Sequence, residues 1–167
     1  ETLLIMLDPL EGFAGVNEAL GGERITVGGT RGFNPLEVQP TPDEVLQSVP
    51  DLDPWSEQIA WVMTFFETFH ASVATNPLGD RTQTLRRAVQ EAYEREGITR
   101  DPRTHDNPSP TVRDVIAVLE SMLDEPDGFG YVTDGEAQSV RADAQSLLKD
   151  LRPSFREGGD LANLARP

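Results

Sequence analysis

From Asp53-Pro54 to Val73 the large apolar residues recur at four-three spacing: Trp55, Ile59, Val62, Phe66, Phe69 and Val73. That period gathers them on one face of an α-helix over about five turns, and a strand would scatter them to both sides. The segment opens with an aspartate that caps free backbone N–H groups and a proline whose fixed φ suits the first helical position. A face this long has to be covered by other elements. The rest of the chain supplies helices for that purpose. Start signals recur at Thr41-Pro42-Asp43-Glu44, Asp80-x-x-Gln83, Ser109-Pro110 and Thr133-x-x-Glu136, each ahead of a helical segment. Leu85, Ala88, Val89 and Ala92 make a sparse stripe, and Val112, Val115, Ile116, Leu119, Met122 and Leu123 a fuller one. Ala137, Val140, Ala144, Leu147, Leu148 and Leu151 make the last. The polar, proline-rich stretch 97–110 predicts a loop between two of these helices. Residues 41–167 are therefore expected to form an all-α bundle.

The first forty residues have a different character. Leu3 to Leu7 is an uninterrupted apolar run of strand length. Asp8-Pro9-Leu10-Glu11 then reads as a helix start, with an acid at the cap, proline in the first turn and glutamate three residues on. Leu10, Phe13, Asn17 and Leu20 share one face of that helix, and Gly21-Gly22 ends it. The short "RITV" that follows predicts a second strand. Such a βαβ unit is parallel and right-handed. Two parallel strands leave their faces uncovered, so the unit is expected to belong to a larger sheet. The predicted fold is thus mostly α, a short βαβ piece over residues 1–40 followed by the bundle. Asp8 has two compatible readings, as a helix cap or as an acid at the carboxyl end of a parallel strand, where such sheets bind ligands.

Composition narrows the chemistry. Cysteine is absent, which removes disulfides and thiolate catalysis. No apolar run approaches the length of a membrane span, and a cytoplasmic location is expected, at most peripheral to the inner face of the cell membrane. The net charge is −15, and of the 14 basic residues only Lys149 is a lysine. Such a surface repels nucleic acid backbones. Acids spread along the whole chain, with almost no lysine, also match a protein adapted to a high-salt cytoplasm, and on that reading the charge says little about partners. Glu67-x-x-His70 matches half of a di-iron helical element. A second copy is missing and His70 falls on the apolar stripe, which favours a core histidine. The acid-rich "DEPDGFGYVTDGE" does not place its acids at calcium-loop positions and reads as an inter-helix turn. "GGTRGFNP" lacks the lysine and hydroxyl of a phosphate-binding P-loop. No nucleophile–base constellation is arguable. The sequence therefore offers no catalytic residue and no metal ligand.

The order of motifs in "LLIMLDPLEGFAGVNEALGGERITVGGTRGFNPLEVQPTPDEV" resembles the motor ATPases of conjugative transfer and type IV secretion, in the HerA/FtsK-like P-loop superfamily. In that family a buried strand ends in Asp-Pro-Glu, a helix runs through "ALGG", and an Asn-Pro-apolar-acid segment precedes an inserted helical domain. Asp8, Pro9 and Glu11, then Gly21 and Gly22, then Asn34, Pro35, Leu36 and Glu37 occupy those places. "SPTVRDVIAVL" and "LLKDLRPSFREGGDLANL" resemble the family's later helices. Leu10 separates Pro9 from Glu11, where the family has the glutamate directly after the proline. The resemblance implies a fragment of a RecA-like P-loop ATPase lying between its Walker A and Walker B motifs. The parent would bind ATP and Mg, with Asp8 and Glu11 near the nucleotide, and the fragment would need no cofactor. Its partners would be neighbouring subunits of a hexameric motor or proteins of the secretion apparatus, with DNA met only through the parent assembly. The alternative reading is a self-standing helical interaction module of a halophile, without an enzymatic parent.

Overall fold

The computed structural model describes residues 13–22, 33–49, 52–73, 77–131 and 133–165. Both expected strands, together with Asp8, Pro9 and Glu11, lie outside the described residues. Within them the chain is helical, with no strand. Six α-helices run in order: α1 Ala14–Ala19, α2 Asp43–Ser48, α3 Pro54–Val73, α4 Thr82–Arg95, α5 Val112–Asp124 and α6 Asp134–Phe155. Single 3-10 turns at Gly79–Arg81, Pro102–Thr104, Pro126–Phe129 and Ala162–Ala165 join or follow them.

Local chemistry explains most of the boundaries. Gly21 takes a left-handed φ of 66°. The Gly22 amide then reaches the Asn17 carbonyl at 2.8 Å and the Gly21 amide the Glu18 carbonyl at 3.1 Å. This paired closure ends α1 and needs a residue without a Cβ at its left-handed position. Asp53 caps α3 by accepting from the Ser56 amide at 3.1 Å and the Ser56 hydroxyl at 2.6 Å. Those two bonds hold the Asp53 carboxyl below its ordinary range. Thr133 and Glu136 form a reciprocal capping box at the start of α6. Between α5 and α6 the described residues 125–131 form a turn, built from one 3-10 turn and Gly130 at φ 83°.

Two expected starts fall elsewhere. Asp80 caps nothing, because the chain enters α4 through a 3-10 turn that already supplies helical geometry. The cap of helix α5 is Thr111, two residues after Ser109, and its amide and hydroxyl both donate to Asp114 at 2.7 and 2.8 Å. Asp114 completes this start three residues after the cap, a position the Ser109-Pro110 reading does not use.

Helices α5 and α6 share the largest contact, α4 lies against both, and α3 packs on α4. Every predicted stripe residue of α4 and α6 is buried. Helix α3 is held at both ends by aromatic contacts. Trp55 meets Tyr93 edge-on at 5.5 Å, and Phe69 meets Phe155 at 5.1 Å. Phe155 extends the α6 stripe beyond Pro153, and its complete burial accounts for the helix continuing past that proline. Val73 departs from the stripe, being 56 % exposed where α3 runs past the end of the core. The α1 face also departs from expectation, since Phe13 and Leu20 are at least half exposed. No described helix is long and apolar enough to cross a membrane.

Phe66 is fully buried at the middle of α3 and touches Phe65 edge-on. Phe66→Ala is expected to cost about 3–5 kcal/mol in denaturant unfolding, the range for truncating a buried aromatic. A loss under about 1 kcal/mol would show that α3 is not the centre of the core.

Candidate functional site

Of the motif residues, Asn34 and Pro35 stand at the point where the chain is most tightly fastened. Asn34 folds the chain into a turn, its side-chain oxygen accepting from the Leu36 amide and its carbonyl from the Glu37 amide, both at 3.1 Å. Asparagine does this readily because its side chain mimics a backbone carbonyl. Its Nδ2 donates to the Pro110 carbonyl at 2.9 Å. Leu36 is fully buried. Its carbonyl accepts from the Tyr93 hydroxyl at 2.7 Å, and that hydroxyl accepts from Gln58 Nε2 at 3.0 Å. The Val38 amide donates to Ser109 Oγ at 2.9 Å, and Gln58 Nε2 also reaches the Glu37 carbonyl at 3.3 Å.

An irregular segment buried in a core has no ladder to satisfy its backbone, and each polar group left unpaired costs free energy. Side chains from α3, α4 and the loop before α5 meet that demand here. Burial pushes the Tyr93 phenol pKa strongly upward, against the opposing Gln58 bond, so the hydroxyl keeps its proton and stays a donor. The arrangement does the work of a fastening. Gly21 and Gly22 sit at the end of α1 and do not join this cluster.

A second polar cluster lies inside the bundle. His70 is 1 % exposed, and its Nδ1 stands 3.6 Å from Asp150 Oδ2, too far for a hydrogen bond. Neither ring nitrogen has a hydrogen-bond partner. Asp150 instead accepts from Arg81 at 2.9 Å, and the same Arg81 nitrogen donates to Ser146 Oγ at 2.8 Å. Burial, and then the Arg81 charge, hold His70 below its ordinary value of 6.5, with Asp150 opposing them. The ring is a neutral core histidine. Glu67, its partner in the Glu-x-x-His pattern, is exposed, so the two side chains do not converge. Among the described residues no group of three His, Cys, Asp or Glu is placed to hold a metal.

Histidine 105 is also buried, at 2 % exposure. Its Nε2 meets the Thr99 carbonyl at 3.0 Å, and because a carbonyl only accepts, that nitrogen carries the proton. Loop 97–110 is therefore not a free tether. Asn107 donates to the Gly97 carbonyl, the Thr99 amide donates to Thr104 Oγ1, and Ser109 and Pro110 hold the Asn34 segment.

The outward face of α3 carries the concave surface. A groove of about 390 Å³ runs past Trp61, Phe65, Thr68 and Val73 to Leu161, beyond the end of α6. On the other side of Trp61 a hollow of about 250 Å³ is lined by Glu57, Gln58 and His105 among others. Trp61 is 62 % exposed. No reading of the sequence singled out Tyr93, Gln58 or Trp61, and Ser109 was read only as part of a helix start. For Tyr93 a signal was present, since it extends the Leu85–Val89 stripe by a further turn. Trp61 lies off the apolar stripe of α3, and a large aromatic on the polar side was the overlooked sign.

A neutral buried histidine ties stability to pH. With the folded value below 6.5, the contribution of His70 is complete above about pH 6.5 and is lost as pH falls toward its folded value. The slope is at most about 1.4 kcal/mol per pH unit for one proton. His70→Leu is expected to remove that part of the slope below pH 6.5 and to leave stability at pH 7 unchanged or higher. Parallel stability profiles for the two proteins would contradict this assignment. No protein-family model, no curated protein and no solved structure matches this chain.

Proposed function

We propose that this chain is the helical insertion unit, with the adjoining piece of P-loop sheet, of a motor ATPase of the conjugative-transfer and type IV secretion kind. The support comes from the order of its motifs, with one structural observation beside it. Asn34-Pro35-Leu36-Glu37 is the segment that in the family leads from sheet to inserted helices. Here it and the adjoining Val38 are seated on α3, α4 and the start of α5 by bonds from Gln58 and Tyr93 and by bonds to Ser109 and Pro110. A joint built that way transmits displacement between the sheet and the bundle instead of absorbing it. Exposed Val16 on α1 and Leu20 at its end agree with a helix that packs on a larger sheet. The βαβ piece and its connection then lie within residues 1–40, with the connection seated in the bundle at Leu36 and Val38.

On this reading the parent holds ATP and Mg, with Asp8 and Glu11 near the nucleotide, and the 167-residue chain itself performs no catalysis. The bundle meets neighbouring subunits of a hexamer or proteins of the secretion apparatus. DNA is handled by the whole assembly, at the cytoplasmic face of the membrane. The other reading, a self-standing interaction module, is favoured by the closure of the core, where Phe66, Leu119, Leu147 and Leu151 are fully buried in a single cluster of bundle residues.

The gene separates the two. A G-x-x-x-x-G-K-[ST] motif encoded within about thirty residues upstream of Glu1 is expected for the motor. In that parent, Asp8→Asn should lower ATP turnover at least tenfold, about 1.4 kcal/mol in the barrier, if Asp8 faces the nucleotide. Since asparagine caps a helix about as well as aspartate, unchanged turnover would reduce Asp8 to a cap. Absence of the upstream motif would overturn the motor and leave the module.

A further inference from the structure

We propose that the outward face of α3 is a docking groove for a cationic amphipathic helix of a partner protein. The apolar side chains of that helix would lie between Trp61 and Leu161, and a basic residue would sit at Trp61 and Glu57. The inference deepens the reading of the bundle as a docking unit and rests on that part of it alone. It does not need the ATPase parent.

The lining of the groove determines what it accepts. Thr64, Thr68 and Ser72 face it at helical spacing. Their hydroxyls donate back to the carbonyls of Ala60, Thr64 and Thr68 at 2.8–2.9 Å. With those donors spent on the helix itself, the wall offers methyl groups, Phe65, Val73 and Leu161, and little that hydrogen-bonds. An extended peptide would bury its backbone there unpaired, because no strand edge exists among the described residues for it to join. A helix satisfies its own backbone and brings only side chains to such a surface. Helix α3 has 20 residues. At about 1.5 Å per residue it is long enough to seat a ligand helix of roughly sixteen residues lying along it.

Charge selects the sign of the partner. Helix α3 contains no lysine or arginine, and of its two glutamates Glu57 stands beside Trp61 while Glu67 lies off the groove's side. Both glutamates are exposed, and no basic side chain among the described residues pairs with either. Glu57 precedes Trp61 by four residues, so both occupy one face. An exposed indole beside a free carboxylate receives a lysine or arginine well, the cation stacking on the ring while the carboxylate neutralises it. A second copy of this chain fits poorly, since each copy carries −15 and the two would repel.

The test uses the full chain in the lowest salt at which it melts cooperatively. The probe is a sixteen-residue helical peptide of leucine and lysine, with a twin in which glutamate replaces every lysine. Calorimetry is expected to show saturable one-to-one binding of the lysine peptide, at least tenfold tighter than the glutamate twin. Trp61→Ala should weaken it at least tenfold and Glu57→Gln about threefold to tenfold, with melting temperatures unchanged because both side chains are exposed. Absence of saturable binding, equal affinity for the twins, or indifference to both variants would overturn the proposal. So would a dimer in sedimentation that Trp61→Ala abolishes, which assigns the groove to a second copy. Binding that appears only after Leu4→Asp and Met6→Asp would assign the groove to the chain's own apolar segment, and also overturns it. ATP turnover of the parent is a separate readout, so either reading can fail while the other stands.

Discussion

A single buried carbonyl organises the entry to this fold. Leu36 lies wholly inside the core, in irregular backbone, and its oxygen is satisfied by the Tyr93 hydroxyl at 2.7 Å. An unpaired carbonyl at that depth would cost on the order of 1–3 kcal/mol. Much of the surrounding geometry follows from meeting that need. Tyr93 has to stand where α4 ends, where its ring takes the edge of Trp55 and so sets the start of α3 against α4. Gln58, one turn into α3, completes the hydroxyl's second bond. Asn34 and Ser109 hold the segment from its other side, against the start of α5. A segment without regular structure thereby becomes part of the bundle.

The opposite end of α3 obeys a different constraint. There the packing is aromatic, with Phe69 and Phe65 on Phe155 at 5.1 and 6.4 Å. His70 sits beside this cluster without a hydrogen bond of its own, while Arg81 and Asp150 satisfy each other across the edge of the core. Burial and a neighbouring cation disfavour the charged form of the ring, against the opposing Asp150 carboxylate. In the sequence it has the spacing of half a metal element, but on the helix Glu67 points to solvent while His70 points into the core.

The helical stripes were legible because burial on a helix leaves a 3.6-residue record, and α4, α5 and α6 bury nearly every residue that record marks. The caps at Asp53 and Thr133 were legible for the same local reason, since each acts within four residues. The fastening of Leu36 was not. Asn34 to Pro110 and Leu36 to Tyr93 span 76 and 57 residues, and no local pattern records a bond of that range. The connection reads as a linker ahead of residue 41, yet Leu36 and Val38 belong to the bundle's core. Helix α5 was misplaced by two residues because Ser109-Pro110 has the composition of a start while serving Val38 instead. The groove was hidden by the stripe itself, which drew the reading to the buried side of α3 and away from Trp61.

Residues 34–38 are an integral part of the helical unit. Native-state hydrogen exchange measures this directly. The Leu36 and Val38 amides donate to Asn34 and Ser109 side chains rather than to a helix. They are expected to exchange only through global unfolding, at the same opening free energy as Val118 and Leu119 in the centre of α5. Opening of Leu36 and Val38 at a free energy more than about 2 kcal/mol below that of α5 would mean the segment detaches while the bundle stays folded. The joint would then be a hinge, and its rigid coupling to the bundle would be refuted.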